Sequence, residues 1–158
     1  MEPNDKIADF TLQDEQDNTV NLSDFAGKPV VLFFYPKADT PGCTIEACGF
    51  RDIFAKIQKS GAIVLGVSRD TPKAQKKFKL KYELPYSLLA DVDEAVCKQF
   101  DVLKEKNMYG KKVIGIERTT FLIGPDQKLI KVFRRVKPEG HAEEVLDAIQ
   151  EHARAHKG

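Results

Sequence analysis

Six consecutive apolar residues, Val30-Val31-Leu32-Phe33-Phe34-Tyr35, run without a polar break into Pro36. A run this short, rich in β-branched and aromatic side chains, reads as a strand buried on both faces. Such a strand needs cover above and below, so the chain is expected to be an α/β protein with a central mixed β-sheet flanked by helices. Pro36 ends the strand because proline cannot donate to the sheet ladder. Four residues later Thr40 offers an N-cap oxygen and Pro41 suits the first helical position. A helix that begins there carries Cys43 in its first turn, at the strand end where α/β sheets receive ligands.

That position gives Cys43 a chemical meaning. The first helical turn has unpaired N–H groups and the positive end of the macrodipole, which favour a thiolate, the nucleophilic form of cysteine. On a helix running from Thr40 to about Lys59, residues Cys43, Ala47, Phe50, Phe54 and Ile57 share the core-facing stripe. Cys48 lies about 140° away on the polar side, with its Cα roughly 8.6 Å from that of Cys43. A disulfide needs Cα atoms within about 7 Å. The pair can therefore bond only if the first turns unwind, and Gly42 and Gly49 weaken the helix there. The thiols read as a pair built to move.

The rest of the chain fits around this unit. Ile7–Leu12 and Thr19–Leu22 alternate apolar and polar around a polar cluster, predicting an N-terminal β-hairpin. Ser23–Gly27 reads as a short turn or a single helical turn leading into the buried strand. After Gly61, the apolar run Ala62–Val67 predicts a second buried strand, parallel to the first through the cysteine helix. Thr71-Pro72 starts a helix to about Tyr82, with Ala74 and Phe78 inward and Lys73, Lys76, Lys77, Lys79 and Lys81 on a solvated face. Leu84–Leu89 reads as a strand, and Asp91–Phe100 as a helix capped by Asp91 or Asp93. Lys104–Val113 is polar and reads as a surface loop. Arg118–Ile123 and Leu129–Arg134 flank a turn-forming Gly124–Lys128, a hairpin. Glu139-Gly140 opens a last helix with Ala142, Val145, Leu146 and Ile149 on its apolar face; Arg154–Gly158 is expected to fray.

With 158 residues and no linker, repeat or low-complexity segment, one domain spanning 1–158 is expected. Twenty-five Lys and Arg balance 24 Asp and Glu, so no bulk charge points to nucleic acid or an anionic membrane. No apolar run reaches membrane-spanning length and no export pattern opens the chain, so the expected compartment is the reducing cytoplasm. Three cysteines there suggest redox or catalytic thiols. Cys97, beside Val96 and Phe100, reads as a packing thiol, with an auxiliary partnership to Cys43 left open. His141, His152 and His156 are far from the cysteines in sequence, and a four-ligand zinc site is not indicated. A disulfide oxidoreductase would want Cys-x-x-Cys, which the wider spacing of Cys43 and Cys48 does not provide.

Pro36-x-x-x-Thr40-x-x-Cys43 resembles the active-site signature of the peroxiredoxins, and the stretch Tyr35–Asp52 is similar to their PrxQ group, the bacterioferritin comigratory proteins. Gly66–Asp70, Lys81–Pro85, Leu88–Asp93, Glu117–Ile123 and Val136–His141 extend the likeness over nearly the whole chain. The resemblance implies a thioredoxin-like fold and a thiol peroxidase that needs no cofactor or metal. It implies that Cys43 is the peroxidatic cysteine, oxidised by peroxide to a sulfenic acid. Thr40 and the amides of residues 42 and 43 would stabilise the leaving oxygen, and Arg118 would hold the thiolate and orient the peroxide. Pro36 would shield the sulfenate. Glu46, which by spacing alone is a solvent-facing helix carboxylate, would orient Arg118.

Cys48 matches the resolving cysteine of relatives that carry it in the same helix, which implies an intramolecular Cys43–Cys48 disulfide. Thioredoxin or a glutaredoxin-like dithiol would reduce it, and the family leans toward a monomer. Two other classes remain open at this point: a redox-switched binding protein exposed by unwinding, and a thiol-disulfide oxidoreductase without peroxidase turnover.

Overall fold

The computed structural model describes residues 1–155, with every side chain among them except that of Met108. Its frame is a seven-stranded mixed sheet. The strands are β1 (Thr11–Asp14), β2 (Thr19–Asn21), β3 (Val30–Phe34), β4 (Ile63–Ser68), β5 (Ser87–Ala90), β8 (Thr119–Ile123) and β9 (Leu129–Phe133), in the order β2-β1-β5-β4-β3-β8-β9. β3 pairs parallel with β4, and β4 with β5; β3–β8, β8–β9, β1–β5 and β1–β2 are antiparallel. Every residue of β3 is buried, as its unbroken apolar sequence requires.

The two faces of β3 seed two cores. Val30, Leu32 and Phe34 pack with Ile7, Phe10, Phe100 and Phe121 on one side. Val31, Phe33 and Tyr35 pack with Cys43, Ala47, Phe50, Phe78 and Val145 on the other. The second side is covered by α1 (Pro41–Asp52), α2 (Phe54–Lys59), α3 (Pro72–Tyr82) and α5 (His141–Ala155); the first by α4 (Ala95–Gln99) and the N-terminal segment. This is the thioredoxin-like arrangement, with Cys43 and Cys97 on opposite faces of the sheet.

Several expectations are corrected in detail. The cysteine helix is not continuous to Lys59: Ile53, at φ −114° and ψ 15°, separates α1 from α2. Two short rods follow the twisted sheet better than one long one; Phe50 stacks on Phe33 from the first, and Phe54 tilts against Tyr86 from the second. Residues 104–113 are not a loop. β6 (Leu103–Met108) and β7 (Lys111–Ile116) pair antiparallel around Tyr109-Gly110, both at positive φ. β7 is exposed over its first four residues, so no apolar alternation marks it.

The N-terminal hairpin begins later than its apolar pattern suggests, because Asn4 and Ile7 donate to the Leu129 and Gln127 carbonyls instead, and its turn is shorter, closed by the Asp14 carboxylate, which accepts from the Gln16 and Asn18 amides. The helix expected from Asp91 starts only at Ala95. Asp91 accepts from the Val96 and Cys97 amides and Asp93 from that of Ala95, so both carboxylates cap it from outside. On α3 the lysines face outward as expected, but Lys79 reaches the buried Glu15 at 2.8 Å and Lys81 reaches Asp39 at 2.9 Å. α5 keeps its helical form through Arg154 and Ala155, which were expected to fray; residues 156–158, with His156 and the rest of that expectation, lie outside the described residues.

Candidate active site

Cys43 is buried at the start of α1, beneath the end of β3. The loop that delivers it is tied down from neighbouring elements. Asp70, after β4, accepts from the Ala38 amide at 2.8 Å and from the Ser68 hydroxyl at 2.6 Å. Asp39, held at φ +59°, accepts from Lys81 and from the Tyr82 hydroxyl at 2.7 Å. Tyr35, wholly buried, donates its hydroxyl to Gln75, which in turn donates to the Leu89 carbonyl. Downstream, Tyr86 donates to the Ala47 carbonyl at 2.7 Å and Arg51 to that of Tyr82 at 2.9 Å. Sequence reasoning missed these anchors. Only the left-handed preference of Asp and the Ser-Arg-Asp stretch could have hinted at them.

Thr40 occupies the N-cap position, but its hydroxyl does not cap α1. It donates to the Lys37 carbonyl at 2.8 Å. The hydroxyl thus folds back over the loop, while its backbone carbonyl accepts the first helical bond, from Thr44. The amides of Gly42 and Cys43 lie in the first turn, where a helix supplies no acceptor. Pro36 is half-buried where β3 ends.

Arg118 arrives from the residue before β8, 72 positions from its partner Glu46. Its Nη1 donates to Glu46 Oε1 at 2.9 Å, with the two side chains 15% and 0% exposed. Burial opposes the Arg118 charge, but Glu46 and the Cys43 sulfur outweigh it and raise the Arg118 pKa. Gly42 makes this approach possible: a Cβ there would come within 3.0 Å of Arg118 Nη2. Glu46 is the largest departure from spacing alone. It is fully buried under Arg118 and α5, and burial drives its pKa from 4.5 up to about 7 even though Arg118 pulls the other way.

Cys48 is half-buried on the same helix, and burial raises its thiol pKa. All three cysteines are free, so this is the reduced, wound form. Burial, with Asp91 beside it, pushes the Cys97 thiol far up. The sheet stands between Cys97 and Cys43, which agrees with a packing role. His141, distant from Cys43 in sequence, lies beside the site: its Nε2 is 2.8 Å from Thr120 Oγ1 and 4.0 Å from Glu46 Oε2.

The geometry thus joins a helix-start thiol, a guanidinium fixed by a buried carboxylate, and a second thiol on the same helix. A family model described as AhpC/TSA matches residues 3–132. Peroxiredoxin Bcp of Bacillus subtilis is 44% identical over 151 residues, covering 96% of each chain. A mutant PrxQ structure from Xylella fastidiosa superposes with a TM-score of 0.93 at 41% identity, over 97% of this chain and 98% of that one. Xanthomonas campestris bacterioferritin comigratory protein, in a structure concerned with its alkyl peroxide reduction activity, gives a TM-score of 0.87 at 44% identity over 91% and 92%.

Proposed function

This chain belongs to the AhpC/TSA family and is a peroxiredoxin, a thiol peroxidase that spends a thiol reductant on peroxide, and from that premise we propose that Cys43 is its attacking sulfur and Cys48 its resolving one. The observation that carries the assignment is the buried Glu46–Arg118 pair aimed at Cys43. A fixed cation beside the sulfur meets the charge that builds on the departing oxygen.

The Cys43 thiolate attacks one peroxide oxygen, the O–O bond breaks, and the departing oxygen takes a proton to leave as water or alcohol. Cys43 is left as a sulfenic acid, with the amides of residues 42 and 43 meeting the departing oxygen, the Thr40 hydroxyl turning to it from the Lys37 carbonyl, and Pro36 screening water. The Cys48 thiol then displaces the sulfenic hydroxyl as water, forming the disulfide. A dithiol protein, thioredoxin or a glutaredoxin-like donor, exchanges with that bond and restores both thiols. Alkyl hydroperoxides and hydrogen peroxide are the substrates, and the monomer is the working unit.

Mass spectrometry tests the pairing. After one equivalent of peroxide, the tryptic peptide Ala38–Arg51, which holds both thiols, should be two hydrogens lighter. Cys48→Ser should react once, fail to recycle with thioredoxin, and accumulate Cys43 as sulfenic acid, or as sulfinic acid where a second peroxide is consumed. Normal recycling by that variant would remove Cys48 from the cycle. A redox-switched binding protein would oxidise and stop, whereas the peroxidase consumes thioredoxin continuously.

Glu46 adds a pH dependence, because it lies between the two thiols on the segment that must unwind. Wound, its pKa is about 7; released to water, it returns toward 4.5. Between those values the wound helix binds more protons, so acid stabilises it and rising pH releases it. Disulfide closure should therefore quicken from pH 4.5 to pH 7, measured after stoichiometric peroxide. Glu46→Gln removes this part of the profile; an identical profile in both proteins would refute the linkage.

A further inference from the structure

Glu46 carries the one buried side-chain polar atom among the described residues that has no hydrogen-bond partner, Oε2. Its other oxygen is committed to Arg118. A fully buried carboxylate with one oxygen unpartnered is costly and drifts toward its neutral form. Something must keep it in place and charged enough to hold the guanidinium.

The group that faces Oε2 is the His141 imidazole, the first residue of α5, with Nε2 at 4.0 Å. The ring cannot turn freely. Phe50 and Phe133 meet it nearly edge-on, with centroids at 5.8 and 5.3 Å and interplanar angles of 86° and 79°. Thr120 Oγ1 holds Nε2 at 2.8 Å, and Glu144 Oε1 stands 3.5 Å from Nδ1. The polar side chains therefore form a file: Glu144 at the surface, His141, Glu46, Arg118, and Cys43 in the core.

We propose that His141 is a positioning residue of the peroxidatic site, acting through Glu46 to keep Arg118 aimed at Cys43; this rests on the reading of Cys43 and Arg118 given above. Burial lowers the His141 pKa, partly offset by Glu144 and reinforced by Arg118, so the ring works as a neutral dipole. With its single proton on Nε2, the ring turns an N–H to Thr120 Oγ1 at 2.8 Å with Glu46 Oε2 at 4.0 Å, and that dipole favours the carboxylate anion. Without it, Glu46 takes up a proton at a higher pH and its hold on Arg118 slackens. The charged groups around the ring are Glu46 on α1, Arg118 before β8, Glu144 on α5, and Arg134, Arg135, Lys137 and Glu139, which share with it a hollow of about 340 Å³.

The test is the stopped-flow rate of Cys43 oxidation by hydrogen peroxide in the full chain, from about pH 5.5 to about pH 8.5. His141→Phe keeps a ring of similar size and removes both nitrogens. It should slow oxidation about tenfold near neutrality. The loss should shrink at high pH, so that the profile moves up by roughly one unit. His141→Gln, which retains an N–H, should recover the rate to within about twofold, and His141→Met should not. In a Glu46→Gln background, His141→Phe should cause no further loss.

A pH-independent loss, an equal loss in the Glu46→Gln background, or equal rates for the Gln and Met variants would each overturn the proposal. The Gln and Met pair decides the matter should the Phe variant fail to fold. If the wild-type Cys43 does not react with peroxide at all, it is the peroxidase mechanism that fails. If it reacts and the His141 variants match it, the fault lies with His141 alone.

Discussion

Replacing Cys43 with Ser should abolish peroxide consumption, the largest effect expected of any substitution. The oxygen of Ser cannot form a sulfenic acid, and at neutral pH it is not ionised, so both the nucleophile and the redox carrier are lost. The fold should survive. Cys43 is a small residue packed among Ala47, Phe50 and Tyr35, and the hydroxyl occupies similar space at a cost of roughly 1–3 kcal/mol if unpaired. The measurement is peroxide-dependent NADPH oxidation through thioredoxin and its reductase. Retained turnover would move the chemistry to another thiol, and Cys97 faces the wrong core for that role.

Arg118→Ala should rank second, lowering the rate of Cys43 oxidation by about 10² to 10³, the usual cost of removing a positioned donor from a developing oxyanion. Arg118→Lys should recover little, because an ammonium cannot reproduce the planar fork that reaches Glu46 and the sulfur together. The substitution also strands Glu46. A buried carboxylate stripped of its partner destabilises a protein by about 3–5 kcal/mol when charged. With a pKa already near 7, Glu46 escapes most of that by taking a proton in acid. The stability loss should therefore be small at low pH and grow through neutrality, as followed by urea denaturation. An unchanged single-turnover rate would refute the role of Arg118.

How much of this could be read from residues alone varied with physical origin. β3 and the start of α1 were legible because an unbroken apolar run, Pro36, Thr40 and Pro41 each impose a local constraint that tertiary packing does not reverse. The opposed directions of Cys43 and Cys48 followed from helical pitch. β6 and β7 were not legible, because a hairpin with little buried surface carries no alternation. The burial of Glu46 was hidden for a different reason: α5, far along the chain, covers the edge of the apolar stripe. Arg118 could be assigned only through family likeness, since nothing in Glu117-Arg118-Thr119 announces where its side chain goes. The Thr40 hydroxyl turned to Lys37 instead of capping α1 because a nearer acceptor was available.

The ties on either side of the thiols set limits on how far oxidation can disturb the molecule. Ala38 and Asp39 are moored to Asp70, Lys81 and Tyr82, while Ala47 and Arg51 are moored to Tyr86 and Tyr82. Between these moorings lie about two helical turns. Closing the disulfide must cast off the Ala47 line, yet the strands beneath need not register it. The oxidised enzyme is thus expected to carry a small, fenced patch of melted chain on an otherwise unaltered body, and a returning reductant meets a rigid platform on which only the sulfurs and their immediate tether have moved.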